Sequence, residues 1–464
     1  MSDSQVPLEM AYVGPLMTPP AAPEQESTSS SITFVLLAAL AITISYADRS
    51  NLSTAIIPMA QDLNWDNFFS GIVLSAFWGG YALTQVLGGA LADIFGGEAL
   101  LVVAMIVWSG ATAFTPIGAA MGSFQILAVR VLLGAGEGLA LPAIHSMIRV
   151  YVLPAQRSIA AAVVTAACYA GALVSNFVAP IIIDKWDWQT CFYWFASIPA
   201  LLWLPMWGLF VWSSRSTRSR NESENLALDG INRMGKDEVA AKILPGLAVA
   251  TERRPTLMQL LKQKPVWAII AGQYGQSFGM IGLLSWLPTY YSARFNVPIA
   301  SLGSFTVLPY FLQLLMALAA GVIADGLIGK GVRVLSVRKA LQTVGMVVPA
   351  VCLAYCSYAT ELSATSAATF ITLGSAFSSL TVGAVSCNHF DISPKNSGTI
   401  FAIGNTVGCI GGLVAVPLSG YIYDQTHTWS LVFGLFALHY LAGCILWNRW
   451  ASDQPLIFDS AKEE

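Results

Sequence analysis

The chain has 464 residues, 55% of them apolar and only 11% charged, with a formal net charge of −3. Soluble globular chains carry about 25% charged residues, and mean hydropathy here is +0.63, so a soluble enzyme is excluded as the main reading. The small net charge offers no field for nucleic acid.

Residues 1–31, with the stretch TPPAAPEQESTSSS, read as a disordered tail. Residues 1–30 have no basic n-region and no early apolar run, so no secretory signal is expected, and they hold no Arg or Lys of the kind that marks an Arg-rich transit peptide. Twelve apolar spans follow, near 32–57, 69–92, 99–117, 121–148, 158–183, 190–213, 265–291, 301–325, 334–358, 362–386, 397–421 and 428–448. Runs of about 20 apolar residues cross a hydrocarbon core of about 30 Å. Backbone polar groups cannot stay unpaired in lipid, so each span is expected to be a helix. Alternating strand patterns of the barrel type are absent.

Loop charges give the orientation. Of the 23 Lys and Arg, nineteen lie on the side of the termini and even-numbered loops, ten of them within 214–264; two (Lys185, Arg294) lie opposite, and two (Arg49, Arg130) lie within spans. The bias puts both termini and residues 214–264 in the cytoplasm or its equivalent. The expected organisation is an all-α membrane protein: tail 1–31, six-helix bundle 32–213, cytoplasmic linker 214–264, six-helix bundle 265–450 and tail 451–464. The halves echo each other, since Gly89-Ala-Leu-Ala-Asp93 ends the second span of one and Gly321-Val-Ile-Ala-Asp325 the second span of the other. Such duplication describes a transporter built from repeats, in which two bundles rock about one site. Asp93 and Asp325 are therefore candidate gating residues.

Four formal charges sit within spans: Asp48 and Arg49 in the first, Arg130 and Glu137 in the fourth. Each costs about 2.5–3.5 kcal/mol at the centre of an isolated span, so they are expected to face a polar interior and compensate one another. Positions 130, 134, 137, 141 and 145 fall on one helical stripe, reading Arg, Gly, Glu, Leu, His. The functional reading has Arg49 and Arg130 holding an anion, because a guanidinium fork binds carboxylate or phosphate bidentately and keeps its charge. Glu137, with Asp48 as rival and His145 as a further candidate, takes up the coupling proton. In the empty site Glu137 is expected to pair with Arg130. The bland alternative is an ion-pair network that only locks the first helix to the fourth.

Other signals read as packing. Gly134-Ala-Gly136-Glu-Gly138 looks like a nucleotide loop but follows no strand, so small-residue helix packing is expected. The seven cysteines have odd number and scattered spacing, which fits neither disulfides nor a metal site. Trp186, Trp188, Trp286, Trp447 and Trp450, near span ends, are read as interface anchors.

The segments GGYALTQVLGGALAD (79–93), RVLLGAGEGLALPAIHS (130–146) and NHFDISPKNSG (388–398) resemble the major facilitator superfamily. Within it they resemble the anion transporters that include the vesicular glutamate transporters, sialin, the animal type I phosphate transporters and the plant plastid phosphate/anion transporters. The resemblance covers roughly residues 32–450 and implies the major facilitator fold. It also implies that Arg49, Arg130 and Glu137 fall on the family's substrate and proton positions, Asp48 on an aspartate of bacterial sugar-acid/proton symporters, and His145 on a shared histidine. Gln276, a third substrate-binding candidate, stands roughly where glutamate transporters have an arginine, and Leu74 where they have a histidine, which departs from glutamate as substrate. Asn388, His389 and Asp391 carry the signature after the tenth span. The loop ADIFGGEAL lacks the superfamily's usual basic residues. The implied function is secondary active transport of inorganic phosphate or small organic anions, coupled to protons or sodium, by a monomeric, multi-pass protein without cofactor or metal. An anion-binding sensor or a passive channel are the alternatives.

Overall fold

The computed structural model describes residues 28–153, 156–214, 255–359 and 361–456. The expected tails and linker therefore lie largely outside the described residues. The first half consists of α1 (Thr28–Ser50, resumed past Asn51 as Leu52–Leu63), α2 (Asn67–Phe95), α3 (Gly97–Met121), α4 (Ser123–Gly138, resumed past Leu139 as Ala140–Tyr151), α5 (Arg157–Lys185) and α6 (Trp188–Ile198, then a π turn Pro199–Trp203, to residue 214). The second consists of α7 (Lys264–Phe295), α8 (Gly303–Gly329), α9 (Val334–Tyr358), α10 (Ala364–Ser378, a 3-10 turn Ser379–Gly383, then Val385–Ile392), α11 (Ser397–Thr426) and α12 (Trp429–Trp450). No strand occurs among the described residues. Among the described residues, ten helices are long and apolar enough to cross a membrane; α2 and α7 are 29 and 32 residues long.

Helix ends follow local chemistry. Asp66 and Asp187 cap α2 and α6 by accepting from the Phe69 and Thr190 amides. Asn64 and Asn296, at φ 55° and 53°, close α1 and α7 in the left-handed conformation. Proline supplies no N–H and disturbs a ladder, which accounts for the π turn that begins at Pro199.

Small residues bring helices together. A Cβ on Gly80 or Gly134 would collide with the Val131 or Phe77 carbonyl across the α2–α4 contact, and one on Gly138 would meet Thr84. The glycine run of α4 is thus a packing surface. Between halves, α2 lies along α11 and α5 along α8. At the end carrying the α1–α2 and α11–α12 turns, Asp424 accepts from the amides of Asn67 (3.3 Å) and Phe68 (2.8 Å) and from Asn67 Nδ2 (2.6 Å). There a Cβ on Gly71 would stand 2.7 Å from Pro417 Cα. This end is sealed.

Two expectations change. The NHFD residues, past the expected edge of the tenth span at 386, form the last turns of α10, Val385–Ile392. Asn388 donates to Asp391 within the helix (3.3 Å), and the Ser393-Pro394 pair ends it later than the span edge. Trp188, Trp286 and Trp447 are not interface anchors, being 4%, 2% and 0% exposed. Trp286 donates to the Val416 carbonyl (2.9 Å) and Trp188 to Asp62 (2.8 Å), so these indoles join helices inside the bundle. Trp186 is exposed.

Candidate functional site

A cavity of about 340 Å³ lies between the halves, walled by α1, α2, α4 and α5 on one side and by α7 and α8 on the other. Arg49 and Arg130 both line it. The break in α1 at Asn51 and the stripe of α4 deliver them from two helices of the same half.

Arg49 is held on every side. Its Nη2 and Nε donate to Glu137 Oε2 at 2.8 and 3.1 Å, and the Glu137 side chain is wholly buried. Its Cζ lies 4.2 Å from the ring centre of Tyr46, 4.3 Å from Phe77, 4.8 Å from Tyr81 and 5.1 Å from Trp78. A desolvated guanidinium among aromatic faces gains about 2 kcal/mol or more from a favourable ring contact. Arg130 contrasts with it. It is 1% exposed, and neither Nε nor Nη1 has a hydrogen-bond partner. The expected Glu137–Arg130 pair is therefore replaced by Glu137–Arg49. Residues 130 and 137 share a stripe but stand two turns apart along it, whereas Arg49 reaches in from the facing helix.

Asp48 is fully buried with both carboxylate oxygens unpartnered, within electrostatic reach of Glu137 and Arg130. Two arginines and two carboxyl groups thus share the site, and only Glu137 is paired with a guanidinium. His145, farther along the α4 stripe, is exposed and has Nδ1 2.8 Å from the Leu141 carbonyl. Gln276 lies outside the cavity wall; on that side the polar lining comes from Ser285, Tyr310 and Gln313.

The signature residues lie elsewhere. Arg338 on α9 donates to both Asp391 oxygens (2.9 and 3.3 Å) and to the Gly383 carbonyl (2.7 Å). Asn388 also donates to the Ser452 carbonyl (2.9 Å), past the end of α12. His389 is 4% exposed, its Nδ1 unpartnered, its ring against Phe390 and Phe401. Asp325 is exposed, within electrostatic reach of Arg338. Asp93 sits in the last turn of α2 and its side chain lies outside the described residues. Nearby, Arg333 donates to both oxygens of Asp453 and holds that carboxyl below the usual range. These residues tie α9, α10 and the end of α12 together, away from the two arginines.

Sequence reasoning missed the aromatic enclosure and the second half's polar lining. The signals were present: Phe77, Trp78 and Tyr81 recur at one-turn spacing, and Gln313 is the single amide in the apolar run of α8.

Residues 38–416 match the family model of the Major Facilitator Superfamily. The chain belongs to that superfamily, in its anion transporter family.

The transporter is 32% identical to the "Ascorbate transporter, chloroplastic" of Arabidopsis thaliana, over 91% of this chain and 75% of that protein. It is 32% identical to the "Sodium-dependent phosphate transport protein 1, chloroplastic" of the same plant, over 91% of this chain and 79% of that one. Among solved structures, the crystal structure of a D-xylose–proton symporter superposes with a TM-score of 0.68 at 15% identity, over 91% of this chain and 98% of that one. The likeness is one of fold, and the twelve-helix major facilitator architecture is shared. The transporter is a multi-pass secondary transporter and no enzyme.

Proposed function

We propose that the transporter carries a small anion by alternating access, Arg130 and Arg49 holding the anion and Glu137 coupling it to a cation. The observation that carries this reading is the pairing pattern: Glu137 occupies Arg49, while Arg130 lines the same cavity with two donors unspent. An arriving anion takes the free donors of Arg130 first, then competes with Glu137 for Arg49. A Glu137 carboxylate that loses its guanidinium is a buried charge without compensation, and it takes up a proton instead. Anion and proton therefore favour each other's binding by the same factor. Asp48, unpartnered, is the rival acceptor.

The printed names of the relatives, one an ascorbate and one a sodium-dependent phosphate transporter, support an anionic cargo and leave both organic and inorganic anions open. The loop charges support cytoplasmic termini and linker, or their equivalent. The test is uptake into proteoliposomes of labelled phosphate and labelled organic monoanions, under imposed pH, sodium or voltage gradients. Saturable uptake with counterflow of at least one anion is expected. Binding without counterflow describes a sensor, current without saturation a channel, and either overturns the proposal.

A further inference from the structure

The two walls of the cavity differ in charge. Every formal charge on its lining belongs to the first half, through Arg49 and Arg130. The second half contributes Met280, Ile281, Leu284, Ser285, Tyr310 and Gln313, which carry none. Among these, Gln313 is 3% exposed, and its Nε2 is parked 3.2 Å from the Met280 sulfur. A thioether is a weak acceptor, so this amide donor is held in place but barely used. A buried, cavity-lining carboxamide with so poor a partner is costly unless a ligand completes it.

Size adds a second constraint. At about 340 Å³ the cavity is within the range of small-molecule pockets, about 300–1,000 Å³. A phosphate ion, with its five non-hydrogen atoms, would leave much of that space to solvent, against walls of Phe77, Trp78, Leu284 and Ile281. The lining suits a longer molecule with a charged end and an uncharged remainder.

We infer that the cargo is an organic monoanion whose uncharged, hydroxyl-bearing body faces the second half, with Gln313 as the residue that recognises that body. This rests on the proposed anion transport and narrows its substrate class. The acid group sits at Arg130 and Arg49. The amide of Gln313 turns from Met280 to a substrate hydroxyl, with the Tyr310 and Ser285 side chains completing the neutral pole. A second acid group would be pressed against Met280, Ile281 and Leu284 with no cation to meet it, so dianions are rejected. A site that hydrogen-bonds a hydroxyl also discriminates against an analogue lacking it, because its buried polar groups are then left unpaired.

The test is competition and uptake in proteoliposomes of the full chain with five probes: D-gluconate and L-ascorbate as hydroxylated monoanions, hexanoate as a plain one, D-glucarate as a dianion, and inorganic phosphate. At least one of the first two is expected to exceed each of the other three in kcat/KM by about tenfold or more. Gln313→Leu is expected to lower the hydroxylated-to-plain ratio about tenfold, the effect of one neutral hydrogen bond, and Gln313→Asn to restore part of it. The ratio is taken within one preparation, so a loss of folded protein cancels. Phosphate or glucarate preferred over both hydroxylated monoanions overturns the inference while anion transport stands, as does an unchanged ratio in Gln313→Leu. No counterflow of any probe overturns the transport reading itself.

Discussion

Arg130 reaches the cavity with two donors free, and Arg49 reaches it already occupied by Glu137. The two arginines therefore do different work, and their variants should separate. Arg130→Ala is expected to lower kcat/KM for the anion on the order of a hundredfold, as loss of one partner in a buried charge pair does. Arg130→Lys should recover little, because a point charge replaces a fork. Arg49→Ala should raise KM and also leave Glu137 buried without its guanidinium, where it keeps its proton to higher pH, so the loss relative to the unmodified protein should shrink as pH rises. Initial rates over a concentration series at two pH values check this; equal, pH-independent losses in both alanine variants would assign the arginines a structural role. The charges themselves were legible in the sequence, since isolated charges in apolar spans must find compensation. Which carboxylate meets which arginine was not, because helical spacing orders residues within α4 but says nothing of how α1 lies against it.

Contacts between helices rest on a few positions where no side chain fits. Gly80 faces the Val131 carbonyl so closely that a Cβ cannot be accommodated, whereas a Cβ on the adjacent Gly79 meets nothing within 4 Å. Gly80→Ala should therefore destabilise the protein by about 1–3 kcal/mol through overpacking, while Gly79→Ala should be neutral or stabilising by up to about 1 kcal/mol. Thermal unfolding in detergent distinguishes them; similar midpoints would contradict the close α2–α4 approach. The glycine run of α4 pointed to packing because it followed no strand. The tenth span was ended too early, near 386, because hydropathy fades at the polar NHFD run, whose charges are compensated where Arg338, Asn388 and Asp391 pair. The tryptophans were misassigned for a related reason: nearness to a span end does not say which way an indole points.

Over the whole molecule, the seal around Asp424 joins two halves whose charges otherwise stay apart. Asp424 gathers three donors from Asn67 and Phe68 at the start of α2, where unsatisfied amides and the helix dipole favour a carboxylate. Asp424→Ala is expected to loosen this end and shift the population toward a state open there. Cys168 lines the cavity and offers a native reporter. Its labelling by an impermeant maleimide added from the α11–α12 side should rise severalfold in Asp424→Ala and be absent when Cys168→Ala is added. Unchanged labelling would assign the seal to the glycine contacts alone. The helices could be read from hydropathy, but the cavity could not, because its shape depends on how two halves meet.

The central claim is that binding of the anion and of a proton is linked through one ion pair, Arg49–Glu137, the anion displacing the carboxylate and the proton neutralising it. Glu137→Gln removes the competitor and mimics the protonated acid. In proteoliposomes, labelled anion should still exchange at equal pH on both sides but should no longer accumulate under an imposed pH gradient, whereas the unmodified protein does both. Gradient-driven accumulation that survives in Glu137→Gln but fails in Asp48→Asn would contradict the claim and move the coupling to α1.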